Sequence, residues 1–171
     1  MNIISPPGIK SRQIVTFDPI TIPATGVTVT DAQAITPVDL TRAVIKVLST
    51  HGGFYSSSTA RWYGWIGLEF QDASNALATW KTTDRAGTLG SIIFVGEIIE
   101  YYEKPKSIQL VSADGDTSQS INTVDPNRCE LVRAYEYLGY AQEKFTPTLN
   151  ANTVTWDSAP NTAARLFVVE W

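Results

Sequence analysis

Residues 91–102 read SIIFVGEIIEYY. Side chains of an extended strand alternate between its two faces, which puts Ile92, Phe94 and Ile98 on one side and Ile93, Val95, Ile99 and Tyr101 on the other. Both sides are apolar, so the stretch predicts a strand in the middle of a packed sheet, covered on both faces. The closing segment, RLFVVEW at 165–171, reads the same way, with Leu166 and Val168 opposite Phe167, Val169 and Trp171. It predicts a C-terminus docked as a strand.

Outward from these two segments, the apolar runs are short and rich in Val, Ile, Thr and aromatics, and clusters of Gly, Pro, Asn, Asp and Ser separate them. That is the pattern of strands and turns. Strands are expected at 10–17, 27–30, 42–48, 61–70, 76–82, 91–102, 106–112, 128–137, 142–148, 152–157 and 164–171. Helix competes best at 128–140, RCELVRAYEYLGY, where Glu, Leu, Arg and Ala favour it and Gly139 offers a stop, but strand is the preferred reading there too. The fold class expected is all-β.

The chain also repeats itself. VDLTR at 38–42 returns as VDPNR at 124–128, KSRQIV at 10–15 as KSIQLV at 106–111, TW at 79–80 as TW at 155–156, and EIIEY at 97–101 as FVVEW at 167–171. The order is kept, while the separation shrinks from 96 residues between the lysines to 70 between the closing glutamates. Shortened loops between retained strands explain the drift. The expectation is two tandem related β-sandwich-like units packed together, 9–103 and a shorter 104–171, after an N-terminal arm at 1–8. Units this small lean on one another or on neighbouring chains to complete their burial. Asp39 and Asp125 are expected turn anchors, accepting nearby backbone N–H groups, with Arg42 and Arg128 three residues on as ion-pair partners.

These motifs carry a resemblance. Lys10/Ser11/Gln13, Val38/Asp39/Arg42 and Ile98/Ile99/Glu100/Tyr101, with their second copies Lys106/Ser107/Gln109, Val124/Asp125/Arg128 and Val168/Val169/Glu170/Trp171, resemble a group of small duplicated β-rich virion structural proteins of tailed bacteriophages. The resemblance implies a structural component of the tail, neck or capsid surface, assembled in the host cytoplasm with other virion proteins and as a homo-oligomer. It implies no catalytic residues.

Composition agrees with a folded protein of 171 residues, 43% hydrophobic and 18% charged. A net charge of -4 gives no general attraction to nucleic acid or anionic lipid, so neither nucleic acid nor membrane is an expected partner. The opening MNIISPPGIK lacks a cationic stretch followed by a sustained apolar run, so no signal peptide is expected.

Chemistry is sparse: the chain holds one histidine and one cysteine. His51 falls in STHGGFYSSST, read as a loop; Cys129, with no second ligand or histidine nearby in sequence, is read as a small buried residue. Glu97 and Glu100 should point to opposite strand faces, and Glu100 and Glu170 should be edge-of-core equivalents, so no glycosidase pair is expected. ADGDTS at 113–118 lacks the further acids of a calcium loop. No catalytic group, metal site or cofactor is expected.

The surface feature that stands out is RWYGWIGLEF at 61–70. Trp62, Ile66, Leu68 and Phe70 share a core face, leaving Arg61, Tyr63, Trp65 and Glu69 on the other. That second face suits burial against the other unit, an interface between chains, or stacking on a host glycan, as in a receptor-recognition module of a tail fibre.

Overall fold

The computed structural model describes residues 8–21, 26–52, 61–86, 91–113, 116–138, 146–157 and 164–171. Among them the strands are β1 (Ile9–Thr21), β2 (Thr28–Ala34), β3 (Ala43–Gly52), β4 (Arg61–Asp72), β5 (Asn75–Ala86), β6 (Ser91–Tyr101), β7 (Ser107–Ala113), β8 (Ser118–Ser120), β9 (Cys129–Arg133), β10 (Tyr135–Leu138), β11 (Pro147–Asn150), β12 (Thr153–Trp156) and β13 (Ala164–Glu170). The one helical element among the described residues is a 3-10 turn at Pro126–Arg128. The protein is all-β, and every strand pairing is antiparallel.

The two doubly apolar segments are central strands, β6 between β1 and β3 and β13 between β7 and β9. Their registers are copies. Ser11, Glu100 and Ala43 align across the first sheet as Ser107, Glu170 and Cys129 do across the second, and Ile14, Glu97 and Lys46 match Leu110, Phe167 and Val132. The facing sheets are copied as well: β4-β5-β2 in the first unit and β11-β12-β8 in the second. In both, the hairpin tip takes two hydrogen bonds from the segment that leads to the Val-Asp turn. Ile35 and Val38 N–H donate to Ser74 and Ala73 carbonyls at 2.9 and 3.0 Å, and Ile121 and Val124 to Asn152 and Ala151 at 3.0 and 2.7 Å. The fold is thus two related sandwich-like units packed together.

Each sandwich has its own filling. In the first, Trp80 of β5 packs on Phe94 of β6 with ring centroids 5.6 Å apart, and Gly96 makes room for Leu68, whose Cδ1 would lie 2.9 Å from any Cβ added there. The second unit places Leu166 at the corresponding position, packed with Val111, Val154, Trp156 and Tyr135.

The units join through backbone and core alike. Residues 128–137, expected as one strand, divide at Ala134: β9 stays with β13, whereas β10 crosses to pair with β4, extending the first unit's outer sheet to β10-β4-β5-β2. Ala134 is fully buried and holds the crossing from both sides, donating to the Arg165 carbonyl at 3.0 Å while accepting from Leu68 N–H at 2.7 Å. Phe167 packs edge-on to Phe70 of β4 at 6.3 Å, and Val132, Phe167 and Val169 belong to the same apolar core as Val44, Ile99 and Tyr101.

β8 was not among the expected strands, and of the strand expected at 142–148 residues 142–145 lie outside the described residues, β11 beginning at Pro147. Most of the arm expected at 1–8 also lies outside them.

Candidate interaction surface

The repeated motifs converge on one buried carboxylate in each unit. Glu100 ends β6 at 4% exposure and Glu170 ends β13 at 2%. A carboxylate removed from water needs donors to remain charged. Glu100 receives Lys10 Nζ at 2.8 Å and the Asp39 backbone N–H at 3.3 Å on Oε1, and Ser11 Oγ at 3.2 Å on Oε2. Glu170 receives Lys106 Nζ at 2.7 Å, the Asp125 N–H at 3.1 Å and Ser107 Oγ at 3.4 Å on the same atoms. Burial is the largest influence on Glu100 and raises its pKa, but Lys10, the Asp39 amide and Ser11 together outweigh it and leave the group below its ordinary value. Lys106 is the chief cause of the lowered value at Glu170. Both are ionised bases already saturated with donors.

The aspartates act one step further out, at the turns that deliver those amides. Asp39 accepts from Thr41 Oγ1 at 2.7 Å, Thr41 N–H at 2.9 Å and Arg42 Nε at 2.8 Å. Thr41's hydroxyl and amide do most to bring the Asp39 carboxyl down to about 2. Asp125 caps the 3-10 turn, accepting from Asn127 N–H at 3.0 Å and Nδ2 at 3.2 Å. Pro126 fits there because the first residue of a helical turn needs no N–H partner. The expected Asp–Arg pair forms between Asp39 and Arg42; no such pair joins Asp125 and the exposed Arg128 among the described residues. The arginine carbonyls complete each lock: Arg42 accepts from Tyr101 N–H and Arg128 from Trp171 N–H, both at 3.0 Å. Gln13 and Gln109 add a clamp in which each side-chain amide imitates a peptide group. Each donates to a backbone carbonyl and accepts from the same residue's N–H, at 2.9 and 2.9 Å with Thr36 and 3.2 and 2.7 Å with Asn122.

One carboxylate has no counterpart. Glu97, buried mid-strand, receives Lys46 Nζ at 2.7 Å and Arg12 Nη1 at 2.9 Å, and the Lys46 hydrogen bond is the main cause of its lowered pKa. The second unit has Phe167, Val132 and Ile108 at these three positions, the first two buried in the shared core and Ile108 packed against it. The same sheet face is therefore charged where it meets water and apolar where it covers its neighbour.

The 61–70 face is only partly described. Arg61, Tyr63 and Trp65 lie on the β4 backbone, with Trp65 aligned to Tyr137 on one side and Lys81 on the other; their side chains lie outside the described residues. Glu69 is half-buried and accepts from Arg165 Nε of β13 at 3.2 Å, so this end of the face is engaged by the second unit. His51, expected in a loop, falls at the end of β3 aligned with Ile93. Cys129, expected buried, is half-buried at the edge of the second core; it donates its thiol to the Asp125 carbonyl at 3.2 Å, and burial, then Glu170 and Asp125, push its pKa up. Asp116 accepts from Gln119 Nε2 at 3.2 Å. No group of three His, Cys, Asp or Glu residues suited to a metal occurs among the described residues.

A cleft of about 340 Å³ opens between β3 and β9–β10, with Lys46, Leu48, Glu130, Arg133 and Tyr135 among its walls. The Arg133 guanidinium lies 4.7 Å from the Tyr135 ring centre, and Leu48 is 51% exposed. Ile14 on β1 and its counterpart Leu110 on β7 are further exposed apolar residues, at 59% and 42%. No family model matches the chain, no curated protein is significantly similar to it, and no solved structure matches its fold significantly.

Proposed function

We propose that the chain is a non-enzymatic structural component of a tailed phage particle, placed in the tail, the neck or collar, or on the capsid surface, and acting through protein–protein association. The observation that carries this reading is the duplicated lock. The residues behind the resemblance to phage virion proteins, Lys10, Ser11, Asp39 and Glu100 with Lys106, Ser107, Asp125 and Glu170, all fasten strand ends. General acid catalysis calls for a carboxyl held protonated near its working pH, whereas these are held ionised and enclosed by donors. What the chain offers its surroundings is a braced double sandwich with exposed apolar residues at Ile14, Leu48 and Leu110, suited to contact with other virion proteins and with further copies of itself.

The test is immunogold labelling of intact particles of the phage that encodes the chain. Labelling at one fixed place on the particle is the expected result. Absence from purified particles overturns the reading, and retention on host polysaccharide that Trp65→Ala abolishes would replace it with receptor recognition.

A further inference from the structure

β3 and β9 each end a sheet: among the described residues β3 pairs with β6 alone and β9 with β13 alone. The cleft of about 340 Å³ opens between these two strands and β10, where the two units meet. That volume falls within the range of small-ligand sites, which favour such junctions. Main-chain groups along the outer edges of β3 and β9 are open to the backbone of an incoming peptide. Leu48, at the register irregularity between Val47 and Ser49, is 51% exposed and adds an apolar wall.

The charges on the walls are unevenly matched. Lys46 is held by Glu97 at 2.7 Å. Arg133 is fixed twice and still has donors to give: its Nε donates to the Tyr135 carbonyl at 3.0 Å, and its guanidinium lies 4.7 Å from the Tyr135 ring centre. Its terminal nitrogens have no partner among the described residues. The break at Ala134 produces this arrangement, because Arg133 ends β9 and Tyr135 begins β10 in the other sheet, and the arginine folds back over the tyrosine. A planar fork held in one orientation with its outer N–H groups open matches the two oxygens of a carboxylate. Glu130, exposed and on the opposite face of β9, has no ion-pair partner among the described residues either.

We infer that this cleft binds a peptide through a single carboxylate, which accepts from the terminal N–H groups of Arg133 while an apolar neighbour on the peptide rests against Leu48. Glu130 limits the charge the cleft takes: one negative group is drawn to Arg133, whereas a dianion such as phosphate is repelled by the unpaired carboxylate on the same wall. The carboxylate belongs to the C-terminus of a peptide or to an Asp or Glu side chain within one; the chemistry is shared, and the experiment separates the two sources. The inference stands whether or not the chain belongs to a phage particle.

Amide chemical shifts of the full chain, followed by nuclear magnetic resonance, test it during titration with four probes. N-acetyl-leucine presents a terminal carboxylate beside an apolar side chain, and the α-amide of N-acetyl-glutamate presents a side-chain carboxylate alone. N-acetyl-leucinamide and inorganic phosphate are the uncharged and dianionic controls. One or both carboxylate probes shift the Leu48, Arg133 and Tyr135 amides saturably, and the controls do not; the probe that binds names the source. Arg133→Gln weakens that binding at least about tenfold with an unchanged circular dichroism spectrum, whereas Glu130→Gln tightens it roughly threefold. No saturable shift from either carboxylate, equal shifts from leucinamide or phosphate, or unchanged affinity in Arg133→Gln overturns the inference. If Arg133→Gln fails to fold, Glu130→Gln decides, and unchanged or weaker binding there overturns it. Particle labelling is read separately, so a chain found on particles that fails here loses this cleft and keeps its structural role.

Discussion

Tyr101 and Trp171 meet edge to face with ring centroids 4.9 Å apart. They are the same position in the two copies, each one residue beyond the buried glutamate, and each donates its N–H to the arginine that closes its unit's turn. Their contact places the matching ends of the two central strands against one another, inside a core that also holds Ile99 and Val169.

The larger core spans both units, with Val132, Phe167 and Val169 of the second among the residues of the first, which predicts one transition. Urea unfolding followed by tryptophan fluorescence and by far-ultraviolet circular dichroism should superimpose. Residues 104–171 expressed alone should not fold, because Phe167, Val169 and Val132 would lose the surface that covers them. Two separated transitions, or a folded second unit, would show the copies to be independent.

Glu100→Gln and Glu170→Gln should each destabilise the protein by about 2 kcal/mol, since each removes the charge from a buried site and replaces one accepting oxygen with an NH2 that faces donors it cannot accept from. The two locks lie on different sheets and share no donor, so the double variant should show the sum to within about 0.5 kcal/mol. Midpoints of urea titrations measure this. A harmless Glu170→Gln would mean that its enclosure does not stabilise the strand end.

Glu97, Glu100 and Glu170 have folded pKa values below the ordinary 4.5, and Asp39 falls from 3.8 to about 2. Protons therefore bind the unfolded chain first as pH falls, so the stabilisation is complete above the unfolded values and is lost as pH drops through the folded ones. Thermal midpoints should be level with respect to these groups just above pH 5 and decline from there toward pH 2, with a shallower decline in the two Gln variants. Asp39, with a side chain 40% exposed, should contribute the smaller share because solvent screens its partners. At the alkaline end, burial pushes Tyr101 up to about 12, so an ultraviolet titration should find a phenol that resists ionisation well beyond the usual 10.

Gly96→Ala should cost about 1–3 kcal/mol by overpacking. The new methyl would meet Leu68 Cδ1 at 2.9 Å and Val15 Cγ1 at 3.1 Å, with Ile45 Cδ1 at 3.5 Å. Leu68→Ala in the same chain should recover part of that loss, which a double-mutant cycle measures.

The strands that alternation marked most clearly, 91–101 and 164–170, are the two sheet centres, because a residue pair buried on both faces leaves a direct trace in composition. The locks were legible as an echo: Lys10, Asp39 and Glu100 recur as Lys106, Asp125 and Glu170, and each set of three meets in its own unit. Their burial was harder to foresee, since a glutamate at a strand end resembles a solvent-facing residue until its donors, one of them a backbone amide far along the chain, are in place. β8 escaped notice because Ser118, Gln119 and Ser120 carry no apolar alternation and owe their strand to pairing with β12. The break at Ala134 was also hidden, because main-chain hydrogen bonds to Leu68 and Arg165 make it, and alanine is compatible with either sheet. Of the 61–70 face, sequence located the strand and the engaged Glu69, but its ion-pair partner Arg165 sits too far along the chain to be matched by pattern.

The crossing of β10 onto β4 also sets an order of events during synthesis. The first copy leaves the ribosome with all its own strands, yet Gly64–Gly67 on β4 lack their neighbour until Tyr135–Leu138 have been made. For that interval the nascent chain carries an open strand beside identical chains on the same message, the condition under which intermolecular pairing competes with folding. The second copy thus closes an edge that the first cannot close for itself, and a chain cut short after the first unit is expected to be the version that precipitates.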